Sequence, residues 1–347
     1  MPYNMINSDL NQFALGRDFP PTQYLGSKQK LVNWVLENIP EGKTVFDAFS
    51  GSGIVSYNLK KNGRKVISND ILYSSFLFAK SLVENDSILI SRAEIDTLFL
   101  DNDNKSDYIE KNFADIFFTV DESKFLDNLR ANIEELDDPY KQSIAYAAAV
   151  RTCIQKMPGG KFRANLLKYR NESFKHYRPK YVKDIQNTYR QFLKSFNESV
   201  FSNNLHNEAH NRDVFDLLPR INSDVAYYDP PYAGTGFNYG RDYFFVELFT
   251  KDYGKINVFK GIAKSYDTGY PNSFTKSNIV ASITKLLKAS AHIPVLVFSY
   301  NNRSFPDMKT FAEILQSYRE DIKVHEKTYH YKSGDSNGLR ELIFVCR

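Results

Sequence analysis

Apolar positions along the chain switch between two periods. Leu31, Val32, Val35, Leu36 and Ile39 recur at helical spacing and stop at Pro40. The run Thr44-Val45-Phe46-Asp47-Ala48-Phe49 is continuous and short, as expected of a strand buried on both faces. Ser50-Gly51-Ser52-Gly53 then makes a tight turn into a helix predicted over 54–61, and after Gly63 a second short strand over 65–70 ends on Asn69-Asp70. From Tyr73 to about Leu205 the pattern is mostly helical. It includes an alanine-rich helix over 142–157 that Pro158-Gly159-Gly160 halts. The α/β rhythm resumes near 211, with strands at 225–228 and 295–300 and helices at 277–289 and 308–318. Terminal strands at 322–331 and 339–346 enclose a hairpin tip, 330–338, that exposes Lys332, Ser333 and Asn337. This order predicts an α/β fold interrupted by a mostly helical insertion.

The strand Val225-Ala226-Tyr227-Tyr228 stops at Asp229-Pro230-Pro231-Tyr232. Proline lacks an N–H and has a fixed φ, so a central strand cannot run through the pair. The position just past the carboxyl end of such a strand is where open α/β sheets bind ligands. There Asp229 and the Pro230 carbonyl are acceptors and Tyr232 is a flat face, a set that suits a planar group carrying an amino substituent.

Strand, glycine turn, helix, strand and acid follow one another within about 25 residues, the opening of a nucleotide-binding unit. The full GxGxxG is absent. Gly51 and Gly53 allow a ligand close to the backbone, and Asp70 is placed to accept from ribose hydroxyls. Lys28, after Tyr24-Leu25-Gly26-Ser27, opens a helix where a cation opposes the dipole, which makes sense if a carboxylate docks beside it. Asp213, with Phe215 beside it, could bind the edge and face of an adenine ring; a plain helix cap is the equal alternative. Residues 234–243 form a glycine-aromatic loop of the kind that orders on substrate.

Charge changes the picture more than bulk composition does. The 347 residues carry a net charge of +4, yet residues 141–212 hold 14 Lys and Arg against 4 Asp and Glu, and residues 91–140 hold 5 against 14. A basic block dense in amides and aromatics suits a polyanion. Within it, Lys161, Arg163, Asn165, Lys168, Arg170 and Asn171 are candidates for DNA contacts, cations on phosphates and amides on base edges. Two cysteines are too few for a disulfide framework or a structural zinc site, and no apolar run approaches the roughly 18 residues of a membrane span. A cytoplasmic chain with no membrane partner is expected.

Tyr24-Leu25-Gly26-Ser27-Lys28, Asp47 to Gly53, Asn69-Asp70 and Asp229-Pro230-Pro231-Tyr232, in that order, resemble the Dam-like (alpha) class of adenine-specific DNA methyltransferases. The resemblance covers roughly 20–75 and 210–347. It matches the basic block only loosely, through Gly159-Gly160-Lys161-Phe162-Arg163. It implies a Rossmann-like methyltransferase sheet divided as arm 1–22, catalytic 23–75, target recognition 76–208 and catalytic 209–347. S-adenosyl-L-methionine would lie at the turn Phe49-Ser50-Gly51-Ser52-Gly53, near Asp47. Tyr24 and Lys28 would meet its methionine end, Asp70 the ribose, and Asp213 with Phe215 the adenine. Position 24 is tyrosine where the family often has tryptophan, with stacking preserved. The implied activity is methyl transfer to the N6 amino group of an adenine flipped out of double-stranded DNA, without a metal, in a restriction-modification setting. A cognate endonuclease would be a functional partner and the chain a monomer. Alternatives are transfer to cytosine N4 or to RNA, and a noncatalytic DNA-binding module with a decayed cofactor site.

Overall fold

The computed structural model describes residues 18–163, 167–175, 178–231, 239–253, 268–271, 273–328 and 338–347. Seven strands form one sheet: β1 (Thr44–Asp47), β2 (Lys65–Asn69), β3 (Glu208–His210), β4 (Val225–Tyr228), β5 (Val295–Asn301), β6 (Ile322–Thr328) and β7 (Arg340–Cys346). Their order is β3-β2-β1-β4-β5-β7-β6. The first five are mutually parallel, and β7 runs antiparallel between β5 and β6. The sheet is thus Rossmann-like with an antiparallel insertion near one edge. The chain leaves β1 toward β2 and leaves β4 toward β5, in opposite directions, so the β1–β4 seam is the topological switch point.

The two-residue side-chain period explains why the central strands read as continuous apolar runs. In β4, Val225 and Tyr227 pack on one face with Val35, Val55 and Leu59, while Ala226 and Tyr228 pack on the other with Leu286, Phe298 and Phe311. Helices Val32–Asn38 and Ile54–Lys61 cover the first face, and Ile279–Ala289 and Met308–Gln316 the second. Observed ends differ from the periodicity by a residue or two. The alanine-rich helix spans Pro139–Lys156, begun by Asp138, whose side chain accepts from the Tyr140 and Lys141 N–H groups.

A third core joins the helices between 73 and 200, and it does not close at residue 208. Tyr243, Phe244, Phe245, Val246, Leu248 and Phe249, from beyond β4, are buried in it. Phe245 stacks on Phe162 at 4.9 Å and meets Phe113 edge-on at 5.1 Å. Some of the opposite charge in 91–140 and 141–212 pairs across this layer, for example Lys141 with Glu94 and Lys156 with Glu122 at 2.6 Å. Among the described residues no helix is long and apolar enough to cross a membrane.

Candidate active site

The turn after β1 is shaped by glycine. Gly51 and Gly53 have φ of 51° and 79°, a region that L side chains rarely adopt. A Cβ at Gly51 would also lie 3.0 Å from the Tyr24 ring, so that ring rests directly on the turn. Tyr24 in turn stacks on Tyr243 at 5.0 Å and accepts a hydrogen bond from Ser75 at 3.1 Å.

Asp70, past the end of β2, ties this turn to the next helix. Its two oxygens accept from the Gly51 N–H at 2.8 Å and the Leu72 N–H at 2.9 Å. Burial pushes its carboxyl up to about 7, against the opposing pull of those two N–H groups. Asp47 lies beneath the turn at the end of a buried relay in which Ser68 donates to Ser56 and Ser56 donates to Asp47 at 2.6 Å. Burial raises Asp47 to about 7 as well, with Ser56 opposing. One Asp47 oxygen and the Ser50 hydroxyl are buried without a hydrogen-bond partner among the described residues. Such atoms at a cavity wall await a polar ligand.

Across the switch point, the β4 ladder ends at Tyr228 and Asp229 emerges beside the β1 turn. Lys28 grips it, Nζ lying 2.9 Å from Oδ1 and 2.7 Å from Oδ2. The two side chains are 7% and 17% exposed, so water screens this pair little. The sequence offers Lys28 as partner to a carboxylate of the ligand; in this structure it holds the Asp229 carboxylate. This also accounts for a cation at the start of the short turn Lys28–Lys30.

One cavity of about 1020 Å³ joins these groups, lined by Tyr24, Lys28, Asp47, Phe49, Ser50, Gly51, Asp70, Asp213, Asp229 and Pro230. Ligand pockets run to about 300–1,000 Å³, so this one stands at the large end of that range. Asp213 both lines it and caps the helix Val214–Leu217, accepting from the Phe215 N–H at 2.9 Å. Phe215 is not on the wall. It stacks on Phe274 at 6.2 Å, and Phe274, which is on the wall, meets Phe49 edge-on at 5.2 Å.

Tyr239 and Arg241, from the loop 234–243 that the sequence reads as ordering on substrate, are on the wall, and so are Tyr270, Asn301 and Arg303, to which the sequence assigns no role. Asn301 and Arg303 could have been found, since Asn301 ends β5 and Arg303 follows it, next to β4 in the parallel part of the sheet. Tyr232, Asn165, 234–238 of the glycine-aromatic loop and 330–337 of the hairpin tip lie outside the described residues.

Of the candidate DNA contacts, Lys168 and Asn171 are exposed, and Lys161 and Arg163 approach Asp242. Arg170 is a correction. Its guanidinium binds the Glu122 carboxylate and the Phe117 carbonyl inside the helical layer, so it serves the fold. Burial pulls the Glu122 carboxyl up, but Arg170 and Lys156 outweigh it and hold it below the usual range.

An acid past β4, an acid past β2 and a glycine turn past β1 thus meet in one cavity. A family model described as D12 class N6 adenine-specific DNA methyltransferase matches residues 24–331. The chain belongs to that family. It is 32% identical over 345 residues to the type II methyltransferase M2.HphI of Haemophilus parahaemolyticus, covering 94% of this chain and 97% of the relative. It is 23% identical to the type II methyltransferase M.NlaIII of Neisseria lactamica, over 89% of this chain and 92% of that one. Modification methylase StsI of Streptococcus sanguinis matches at 25% over 94% of the chain, which spans 52% of that longer protein. Membership makes this chain a DNA methyltransferase directed at the adenine N6 amino group, and implies S-adenosyl-L-methionine as cofactor.

Proposed function

We propose that this D12 methyltransferase is a site-specific enzyme of double-stranded DNA, the modification half of a restriction-modification system, working as a cytoplasmic monomer with no membrane partner. The observation that carries the reading is the single cavity in which Lys28-bound Asp229 faces the Gly51–Asp70 turn.

S-adenosylmethionine, when bound, supplies the methyl group as an electrophilic sulfonium substituent. The buried, partnerless atoms of Asp47 and Ser50, the glycine turn and the two raised carboxyls fit such a ligand. Tyr24 would cover it, Phe49 to Gly53 cradle it, Asp70 accept from its ribose, and Asp213 face its adenine. Asp229 and the Pro230 carbonyl would accept from the two hydrogens of the target amino group. The amino lone pair is otherwise delocalised into the purine, and these acceptors draw nitrogen toward tetrahedral geometry and stabilise its developing positive charge. Both acceptors are fixed before reaction, Asp229 by Lys28 and the Pro230 carbonyl by Pro231, which holds the residue before it in extended backbone, so positioning supplies much of the rate. A duplex hides the target atom, so the base must be flipped, at a cost of a few kcal/mol. Tyr232 is the stacking platform in this reading.

The function is tested by nucleoside analysis and sequencing of plasmid DNA from a host without adenine methylation of its own. N6-methyladenine at one short sequence is the expected result. N4-methylcytosine, or no modified base, contradicts the reading.

A pH dependence also follows. A carboxyl raised to about 7 is part protonated at neutral pH in the ligand-free fold. Two ribose hydroxyl donors favour its ionised form, so binding S-adenosylmethionine expels a proton and affinity weakens as pH falls below about 7. Calorimetry in buffers of different ionisation enthalpy measures that proton. Its absence, or its persistence in Asp70→Asn, contradicts the assignment.

A further inference from the structure

The helix Tyr73–Ala79 begins just past Asp70 with Leu72 at its N-cap, a side chain that cannot accept from the first N–H groups. The acceptor comes from Glu247, 173 residues beyond Ser74. Its Oε2 accepts from the Tyr73 N–H at 2.9 Å and its Oε1 from the Ser74 N–H at 2.8 Å. Tyr270, on the cavity wall, donates its hydroxyl to Oε2 as well. Glu247 is 1% exposed, and its neighbours Phe244, Phe245, Val246, Leu248 and Phe249 are buried apolar residues of the helical core. Burying a carboxylate among them is costly, and a Ser or Asp at position 72 would cap the helix more cheaply. What a local cap would not do is tie the helix start to the helical layer and to the cavity wall.

The helix start bears directly on Asp70. Asp70 Oδ1 accepts from the Leu72 N–H, immediately before the two N–H groups that Glu247 holds, and Oδ2 accepts from the Gly51 N–H. Two carboxylates thus share the consecutive N–H groups of Leu72, Tyr73 and Ser74. Their nearness shows in Asp70 itself: burial pushes its carboxyl up, and the Glu247 charge adds to that push. Glu247 lies behind the cavity wall rather than on it, whereas Asp70 is on the wall. A helix start released by Glu247 carries the Leu72 N–H with it, and Asp70 loses the bond that orients Oδ1.

We propose that Glu247 is a positioning residue for cofactor binding, which holds Asp70 in the orientation that meets the ribose of S-adenosylmethionine, and that Tyr270 locks it there from the cavity wall. The ribose acid is thereby anchored to the helical layer as well as to the sheet. The inference rests on the proposed function, and within it on Asp70 as the ribose acceptor. It adds two residues to which the sequence assigns no role.

The test is a double-variant cycle, read by calorimetric titration of the full chain with S-adenosylmethionine at a pH well above the value of about 7 to which Asp70 is raised, so that Asp70 is ionised throughout. Glu247→Gln keeps the side-chain shape but turns an NH₂ group toward one of the two backbone donors, so the helix start loses a bond. Affinity is expected to fall about tenfold, and in steady-state kinetics the loss falls in KM for S-adenosylmethionine rather than in kcat. In an Asp70→Asn background the same substitution is expected to cost about twofold or less, because the residue it acts through is already gone. A general loosening of the fold costs the same factor in both backgrounds; that result, or unchanged affinity in Glu247→Gln, would overturn the proposal. Tyr270→Phe, which removes one hydroxyl from the wall, runs through the same cycle and decides alone if Glu247→Gln does not fold. A severalfold loss that vanishes beside Asp70→Asn is expected; an equal loss in both backgrounds means that Tyr270 meets the ligand directly and overturns its locking role. A wild type that binds no S-adenosylmethionine, or that binds it no better than Asp70→Asn does, removes the reading of the site itself. A clear loss in Asp70→Asn with additive second variants removes this inference alone.

Discussion

Asp229→Ala is expected to lower kcat by about a hundredfold to a thousandfold while duplex affinity stays within about threefold, since deleting one preorganised group at a site of developing charge costs about 10²–10³. The loss is concentrated in kcat because Asp229 meets the amino group only once the base has left the stack. The duplex itself is held by the recognition block. Truncation also leaves Lys28 buried beside a missing partner, and breaking a buried pair costs about 3–5 kcal/mol. Asp229→Asn is the companion variant. It gives Lys28 a carbonyl oxygen to bind but turns an NH₂ donor toward the target amino group, so folding recovers while catalysis does not.

Lys28→Met is the second large effect. Nζ lies within 2.9 Å of both Asp229 oxygens, so the lysine fixes the rotamer of the acceptor on which the reaction depends. The expected result is a fall in kcat of about a hundredfold, with the KM for S-adenosylmethionine rising much less. Steady-state kinetics separates the two roles this lysine could have. If it served chiefly as partner to the ligand's carboxylate, KM would rise steeply and kcat would hold, and that pattern would overturn the Asp229 assignment.

What the sequence disclosed and what it hid divide along one physical line. The Gly51 turn and the proline stop after β4 are local: a residue's own φ preference or missing N–H fixes each, so each is visible in a few letters, and the acid after β2 is placed by the strand–turn–helix–strand order around it. The partner of Lys28 is 201 residues away, and only the β1–β4 pairing brings it near. The same holds for Arg170, whose acid lies 48 residues upstream, and for Glu247, whose Ser74 donor lies 173 residues upstream. Strand β3 has three residues, all half-buried, too short to show a period. The Phe-rich run 243–249 reads as an isolated apolar stretch, and only the fold shows that it completes the helical core. Charge blocks misled in part, because composition counts cations without showing which are paired internally.

Everything rests on one acceptor at the rim of one cavity, poised between two ligands. The most direct measurement takes a single preparation of Asp229→Ala, titrates it with S-adenosylmethionine and with duplex to near saturation, and follows labelled methyl transfer in a single turnover. Both ligands are expected to bind together while transfer is all but absent. Transfer at a rate near wild type, with both ligands bound, would contradict the role given to Asp229.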